Sequence, residues 1–456
     1  MTESIVERGA PVAGSGFHPK AKAAIRSGVL AYFVDQFDIY LPIVALAPAS
    51  AYFQSTGIDA GTAALLNAFV FAATLIARPL GAAIFGHFAD TRGRRTSTLV
   101  AVAGFGVTTA LIAALPGYET IGMASAGLLI ALRFLDGIFL GGEYTTAVPL
   151  AMEWSPRRHR GLVSGSITCT SPGAYAVVAA ITLILLSVMP SAGVHSAYAQ
   201  WGWRIPFAVG ALLAVVLFRA YRREVEEPAT ERTRTGSPLP LLFKGEHRST
   251  MVQVFVLMTG TWLATNAGIA VLPGLLTSHA GLTGRQVSVT MMVATAVTAA
   301  TYPLFGLLSQ RIGRRRFFIG YGLSVVLIGA PSYVLAMSVG NALGAVLLAS
   351  TLVVVFTIGT FGPIAAYLTE RFPDSLRASG YGVGYSLALI IPAFYALYLD
   401  GISHLLPGHL APVVLVVVAG LLISGGAAAG PETKDVAMGR DTVGGSDGDE
   451  GVLSGA

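Results

Sequence analysis

Twelve stretches of mostly apolar residues dominate this chain, each near the roughly 20 residues that a helix needs to cross a bilayer. They run approximately over 28–53, 62–86, 97–117, 122–150, 161–189, 202–221, 250–277, 286–309, 317–338, 341–369, 378–400 and 410–429, six on each side of a polar segment at 222–249. A water-soluble globule is excluded, because only 12% of the 456 residues are charged, against about 25% in soluble domains. No ten-residue alternation marks a β-barrel. The expected fold is therefore an all-α membrane protein. Cys169 is the one cysteine, which excludes an intramolecular disulfide and any multi-cysteine metal centre. No metal or cofactor is expected.

Twenty-five of the 29 Lys and Arg residues fall before span 1, in alternate loops, in the central segment or in the tail. Arg78 and Arg133 lie within spans, and Arg204 and Arg285 lie near the opposite face. By the positive-inside rule both termini are cytoplasmic, as expected of a multi-pass protein of the plasma or inner membrane. Topology thus accounts for the net charge of +5 without nucleic acid. Small residues at 46–51 mimic a signal-peptidase site, but Asp35 and Asp38 interrupt the preceding apolar run, so no cleavage is expected. The expected divisions are a cytoplasmic segment 1–27, bundles 28–221 and 250–430 joined by a linker 222–249, and a Gly/Asp/Ser-rich disordered tail 431–456.

The chain repeats itself. GHFADTRGRR (Gly86 to Arg95) after span 2 matches GLLSQRIGRR (Gly306 to Arg315) after span 8, at an offset of 220 residues. Glu153-x-x-Pro156-x-x-x-Arg160 matches Glu370-x-x-Pro373-x-x-x-Arg377 at an offset of 217. Two motifs at nearly one offset indicate a duplicated six-helix unit, with a site between halves near the midplane. The paired glycine–arginine loops resemble the signature of the major facilitator superfamily. ARPLG (Ala77–Gly81), RFLDGIFLGGEY (Arg133–Tyr144), WGWRIPF (Trp201–Phe207) and PETK (Pro431–Lys434) resemble its metabolite:proton symporter branch and the related sugar porters. DQFD (Asp35–Asp38) is similar to the first-span motif of aromatic-acid proton symporters. The resemblance implies twelve helices in two bundles related by a pseudo-two-fold.

It also implies a latch on the cytoplasmic side. Gly86 and Gly93 would let the first loop turn tightly, Asp90 would take hydrogen bonds from arginines, and Arg94, Arg95, Glu153 and Arg160 would complete the closure. The second copy comprises Gly306, Gln310, Arg311, Gly313, Arg314, Glu370 and Arg377. Gln310 stands where the family has aspartate, so this copy is expected to be electrostatically weaker. The alternative is that these arginines set topology alone.

An ionisable group at membrane depth costs several kcal/mol and marks function by default. Six stand out: Asp35, Asp38, Arg78, Arg133, Asp136 and Glu143. At 100° per residue, Arg133, Asp136 and Glu143 share one face of span 4. If each arginine pairs with one acid, two acids remain, and Asp35, Asp38, Asp136 and Glu143 become candidates for proton coupling. Arg78 and Arg133 are candidates for a substrate carboxylate, the alternative being salt bridges to Glu143 or Asp136. Tyr144, which closes the span-4 motif, joins the substrate candidates. Trp262 and Asn266, and likewise Tyr381 and Tyr385, are four apart and hence on one helix face; Trp262, Asn266 and Tyr385 complete the set.

The expected function is proton-coupled symport of a small organic anion or zwitterion by a monomer. A proton-coupled exporter is the alternative, although its span-5 motif wants glycine where Ser171 precedes Pro172. Uncoupled diffusion, a membrane sensor and an enzyme complete the alternatives. A sensor would lack an output domain, and no nucleophile–base or metal-ligand constellation marks an enzyme.

Overall fold

A computed structural model describes residues 19–438 apart from 56, 93, 192, 225–238, 341 and 374–375. Among the described residues, twelve helices are long and apolar enough to cross a membrane. They are α1 (Ala21–Phe53), α2 (Gly61–Phe88), α3 (Arg95–Ala113), α4 (Ala124–Glu153), α5 (Arg157–Val188) and α6 (Tyr198–Arg223), then α7 (His247–Ser278), α8 (Gly284–Ile312), α9 (Arg314–Ser338), α10 (Leu343–Arg371), α11 (Arg377–Ser403) and α12 (Gly408–Ala428). No strand occurs among these residues, as expected where lipid offers the backbone no hydrogen bonds. Large apolar side chains such as Val107, Leu212, Leu304, Leu348 and Leu421 stay exposed, because hydrocarbon is their solvent. Half of the expected linker, residues 225–238, lies outside the described residues.

The six-helix bundles meet where α5 packs on α8 and α10, and where α11 packs on α2 and α4. The first helix of each bundle is broken in the same way. α1 widens into a π-helical stretch at Leu41–Leu46 containing Pro42, and α7 does so at Asn266–Val271, ahead of Pro273. Proline removes a backbone donor and clashes with the preceding turn, and such π segments collect at functional sites. The duplication therefore extends to helix shape.

At the face carrying the arginine loops, hereafter the basic face, α5 and α8 touch backbone to backbone. A Cβ on Gly161 would stand 2.2 Å from the Gly306 carbonyl oxygen, and one on Gly306 would stand 2.0 Å from that of Gly161. Gly86, expected to let the first loop turn, lies instead inside a helix, as does its counterpart Gly306, where the missing side chain serves this close crossing. The half-buried Cys169 of α5 lies one turn from Gly165, where a Cβ would stand 2.4 Å from the Tyr302 carbonyl oxygen of α8, and reports on the same interface. Gly306→Leu should disfavour this contact by about 2 kcal/mol, a shift of roughly thirtyfold away from the closed arrangement. Alkylation of Cys169 by a water-soluble maleimide should rise accordingly, and unchanged labelling in a folded variant would count against the crossing.

Candidate functional site

All six membrane-depth ionisable residues are buried in the N-terminal bundle, where they sort into two networks. In the first, Asp35 of α1 forms an ion pair with Arg78 Nη2 of α2. Gln36 Nε2 donates to Asp35 Oδ2 at 2.7 Å, and Ser171 Oγ of α5 donates to Gln36 Oε1 at 2.7 Å. The Arg78 guanidinium lies 4.8 Å from the ring centre of Tyr144, and Glu143 interacts electrostatically with both Arg78 and Asp35. Arg78 Nε and Nη1 are buried with no partner among the described residues. Gly141 lets α4 come this close, since a Cβ there would stand 2.3 Å from the Arg78 carbonyl oxygen.

In the second network, Arg133 Nη1 lies 2.9 Å from Asp38 Oδ2 and 3.0 Å from Asp136 Oδ2. Two hydroxyls of α3 complete it: Thr109 donates to Asp38 Oδ1 at 2.6 Å and Thr108 to Asp136 Oδ1 at 3.0 Å. Arg133 thus takes two acids while Arg78 is ion-paired with Asp35, a division that counting one acid per arginine does not anticipate. Arg133 and Asp136 also separate from Glu143, so the single polar stripe on α4 serves two networks. Asp35 and Asp38, three residues apart on α1, are divided between them.

The C-terminal bundle faces the first network with aromatic rings. Tyr385 of α11 is their hub, with its hydroxyl 2.9 Å from that of Tyr32 on α1. Its ring centre lies 5.0 Å from Tyr144, 5.1 Å from Trp262 and 5.9 Å from Tyr381. Trp262 Nε1 donates to the Tyr385 carbonyl at 3.0 Å, and Asn266 Nδ2 to the Pro392 carbonyl at 2.7 Å. The two α7 residues therefore bind α11 backbone here. A cavity of about 20 Å³ beside Gln36, Tyr40, Trp262 and Asn266 has room for one water.

At the basic face, Arg377 Nη1 of α11 lies 3.2 Å from Glu153 Oε1 of α4, joining the two copies of the second motif across the bundles. The Gly161 N–H donates to Gln310 Oε1 at 3.2 Å. Arg314 reaches Gln310 Oε1 at 2.7 Å and holds Glu370 with two contacts, at 3.2 and 3.1 Å. Gln310 thus bridges the bundles as a neutral acceptor while Arg314–Glu370 supplies the ion pair. Arg95 Nη2 donates to the Arg222 carbonyl at 2.5 Å, and Arg311 is exposed. Gly313 makes the α8–α9 turn at φ 102°. Gly93 and the side chains of Asp90 and Arg94 lie outside the described residues.

Residues 431–438, expected to begin a disordered tail, are instead built into this face. Glu432 accepts from the N–H groups of Arg314 and Arg315, capping the start of α9. Thr433 donates to Glu370 at 2.8 Å, Asp435 pairs with Arg157 at 3.0 Å, and Arg160 donates to the Val436 carbonyl at 2.6 Å. This strap therefore runs from the C-terminal bundle to the N-terminal one. The remainder of the tail lies outside the described residues.

Residues 28–396 match a family model described as Major Facilitator Superfamily. The chain belongs to the major facilitator superfamily. It is a membrane transporter, not an enzyme. This facilitator is 31% identical over 362 residues to the alpha-ketoglutarate permease of Escherichia coli (strain K12), covering 78% of this chain and 81% of that one. It is 29% identical over 378 residues to the citrate-proton symporter of Klebsiella pneumoniae, covering 79% and 80%. A crystal structure of a D-xylose-proton symporter superposes with a TM-score of 0.70 at 16% identity, over 91% of this chain and 99% of that one, which shows the shared fold.

Sequence reading missed Thr108 and Thr109, adjacent hydroxyls in mid-span, as well as Gln36 and Tyr32. The last two sit beside Asp35 on α1, and only packing distinguishes them from ordinary helix residues. In the facilitator's closed basic face, Glu153 and Arg377 should couple. A double-mutant cycle of Glu153→Ala and Arg377→Ala, read by Cys169 alkylation, should give about 1–2 kcal/mol of interaction. Strict additivity would remove the pair from the closure.

Proposed function

We propose that this facilitator is a proton-coupled symporter, importing a small organic anion by alternating access, with both termini and the basic face in the cytoplasm of a cell membrane. The placement of Lys and Arg supports the orientation. The observation that carries the mechanism is the pair of carboxylates, Asp38 and Asp136, on one nitrogen of Arg133. Two ionised acids and one guanidinium leave a net negative charge in a buried site, and one proton makes the cluster neutral. A neutral cluster crosses the closed state at far lower cost than a charged one.

The substrate carboxylate belongs to Arg78, which like Arg133 has two nitrogens without a partner among the described residues and whose guanidinium lies against Tyr144, itself packed on Tyr385; Trp262 and Asn266 complete the proposed site. Asp35 and Glu143 tune that charge. Coupling follows from α1, which carries Asp35 into the substrate network and Asp38 into the proton network. Any shift of this helix at its π segment alters both at once, the shared element that linkage requires. The residues of the basic face form the cytoplasmic gate.

In reconstituted vesicles, Asp38→Asn mimics the permanently protonated acid. It should abolish accumulation driven by a pH gradient while retaining exchange between two loaded sides. Asp136→Asn should behave alike, because the two acids share one cation. Survival of uphill, sodium-independent uptake in both variants and in Asp35→Asn and Glu143→Gln would sink the proton assignment.

A further inference from the structure

The N-terminal bundle also holds a cleft away from Arg78. At the basic face, α1, α5 and α6 enclose about 430 Å³, within the range of volumes that hold small ligands. Its lining residues all belong to the N-terminal bundle, so the cleft does not lie between the bundles. The geometry points to a binding site for one anionic phospholipid, with an acyl chain in the cleft and the phosphate held by Lys22 and Arg26.

Two kinds of surface meet there. Val29, Leu30 and Phe33 of α1 and Leu217 of α6 make the wall apolar. From Arg26 to Phe33 the wall follows α1 for about 10 Å at roughly 1.5 Å per residue. One leaflet of hydrocarbon is about 15 Å deep, so the wall can cover the greater part of an acyl chain. At its other end the lining includes Arg26, whose side chain is exposed. Lys22 precedes Arg26 by four residues and is exposed on the same face of α1. Neither cation has an ion-pair partner among the described residues.

The placement of these cations calls for an anion. A helix N-terminus carries partial positive charge, so acids are favoured there and cations disfavoured. The first turn of α1 nonetheless contains no acid, and Lys22 and Arg26 follow within two turns. Long basic side chains lay their stems along apolar surface and hold their heads at the level of the headgroups. The two cations thereby flank the mouth of an apolar slot. A soluble phosphate would leave the slot uncovered, and a neutral lipid would leave the cations unmet. A phospholipid of net negative charge satisfies both, and the bilayer supplies it. The cleft also adjoins the first network. Thr170 is part of its wall, and Ser171 beside it donates to Gln36, which donates to Asp35. An acyl chain in the cleft therefore braces α1 against α5 next to those contacts.

Native mass spectrometry of the purified full-length protein, titrated with phosphatidylglycerol or with phosphatidylcholine of the same acyl chains, tests the assignment. One phosphatidylglycerol should bind roughly thirtyfold more tightly than phosphatidylcholine, about fivefold for each cation. Arg26→Gln and Lys22→Gln should each cut this preference by roughly fivefold, and the double variant should erase it. Arg248→Gln, which removes an exposed cation of α7 in the other bundle, should leave it unchanged. Ala220→Trp fills the cleft with both cations in place and should abolish tight binding of phosphatidylglycerol. The charge variants test the site even where that larger residue prevents folding. Equal affinity for the two lipids overturns the assignment, as does a loss with Arg248→Gln as large as with Arg26→Gln. Tight binding retained by folded Ala220→Trp would also overturn it. Displacement of bound phosphatidylglycerol by glycerol 3-phosphate would do the same, since the headgroup alone would then be the ligand.

Discussion

Membrane-depth charge is the constraint on which this molecule turns. Lipid gives an ion neither water nor counterion, so every buried charge must be met by another side chain. The N-terminal bundle answers with six ionisable groups supplied by α1, α2 and α4, and with hydroxyls from α3 and α5. These contacts fix how the helices sit against one another. The ion pair from Asp35 to Arg78 ties α1 to α2, and Arg133 ties α1 to α4. The charges are therefore structural and chemical at once, which is why both networks run through the same first helix.

The bundles have diverged in what they bury. Sequence duplication is still visible in the loop motifs, and shape duplication in the π segments of α1 and α7. Side-chain chemistry is not duplicated. Where the first half presents arginines and acids, the second presents Trp262, Phe361, Tyr381 and Tyr385. One half supplies buried charges, and the other supplies apolar surface and shape. At the basic face the divergence is milder. Gln310 takes the place of an acid, and Arg314 with Glu370 carries the ionic part within the C-terminal bundle.

Most of the fold was legible because lipid imposes a length rule, so twelve apolar stretches became twelve helices with little ambiguity. The six intramembrane charges were legible for the same reason, since each violates that rule. Their partners were not. A helical wheel places Arg133, Asp136 and Glu143 on one face, but it cannot say that α3 inserts Thr108 and Thr109 there, or that Glu143 belongs with Arg78. Gly306 reads only as a member of the repeated loop motif and proves to be a helix-crossing glycine by packing. The first residues of the tail depart from that expectation because its average composition is set by residues after 438, whereas Glu432, Thr433 and Asp435 each find a specific partner. Composition averages over a segment, but capping and pairing act at single atoms.

The strap has a consequence for how the molecule is made. Residues 432–438 follow α12, so the ribosome delivers them after helices α1–α12 have been synthesised. Until then α9 lacks its Glu432 cap, and Arg157 and Arg160 of α5 lack the strap contacts. The two bundles must therefore insert and pack before this part of their joint closure exists. The nascent transporter passes through a stage in which its basic face is not yet tied across, and emergence of the strap supplies the missing tether.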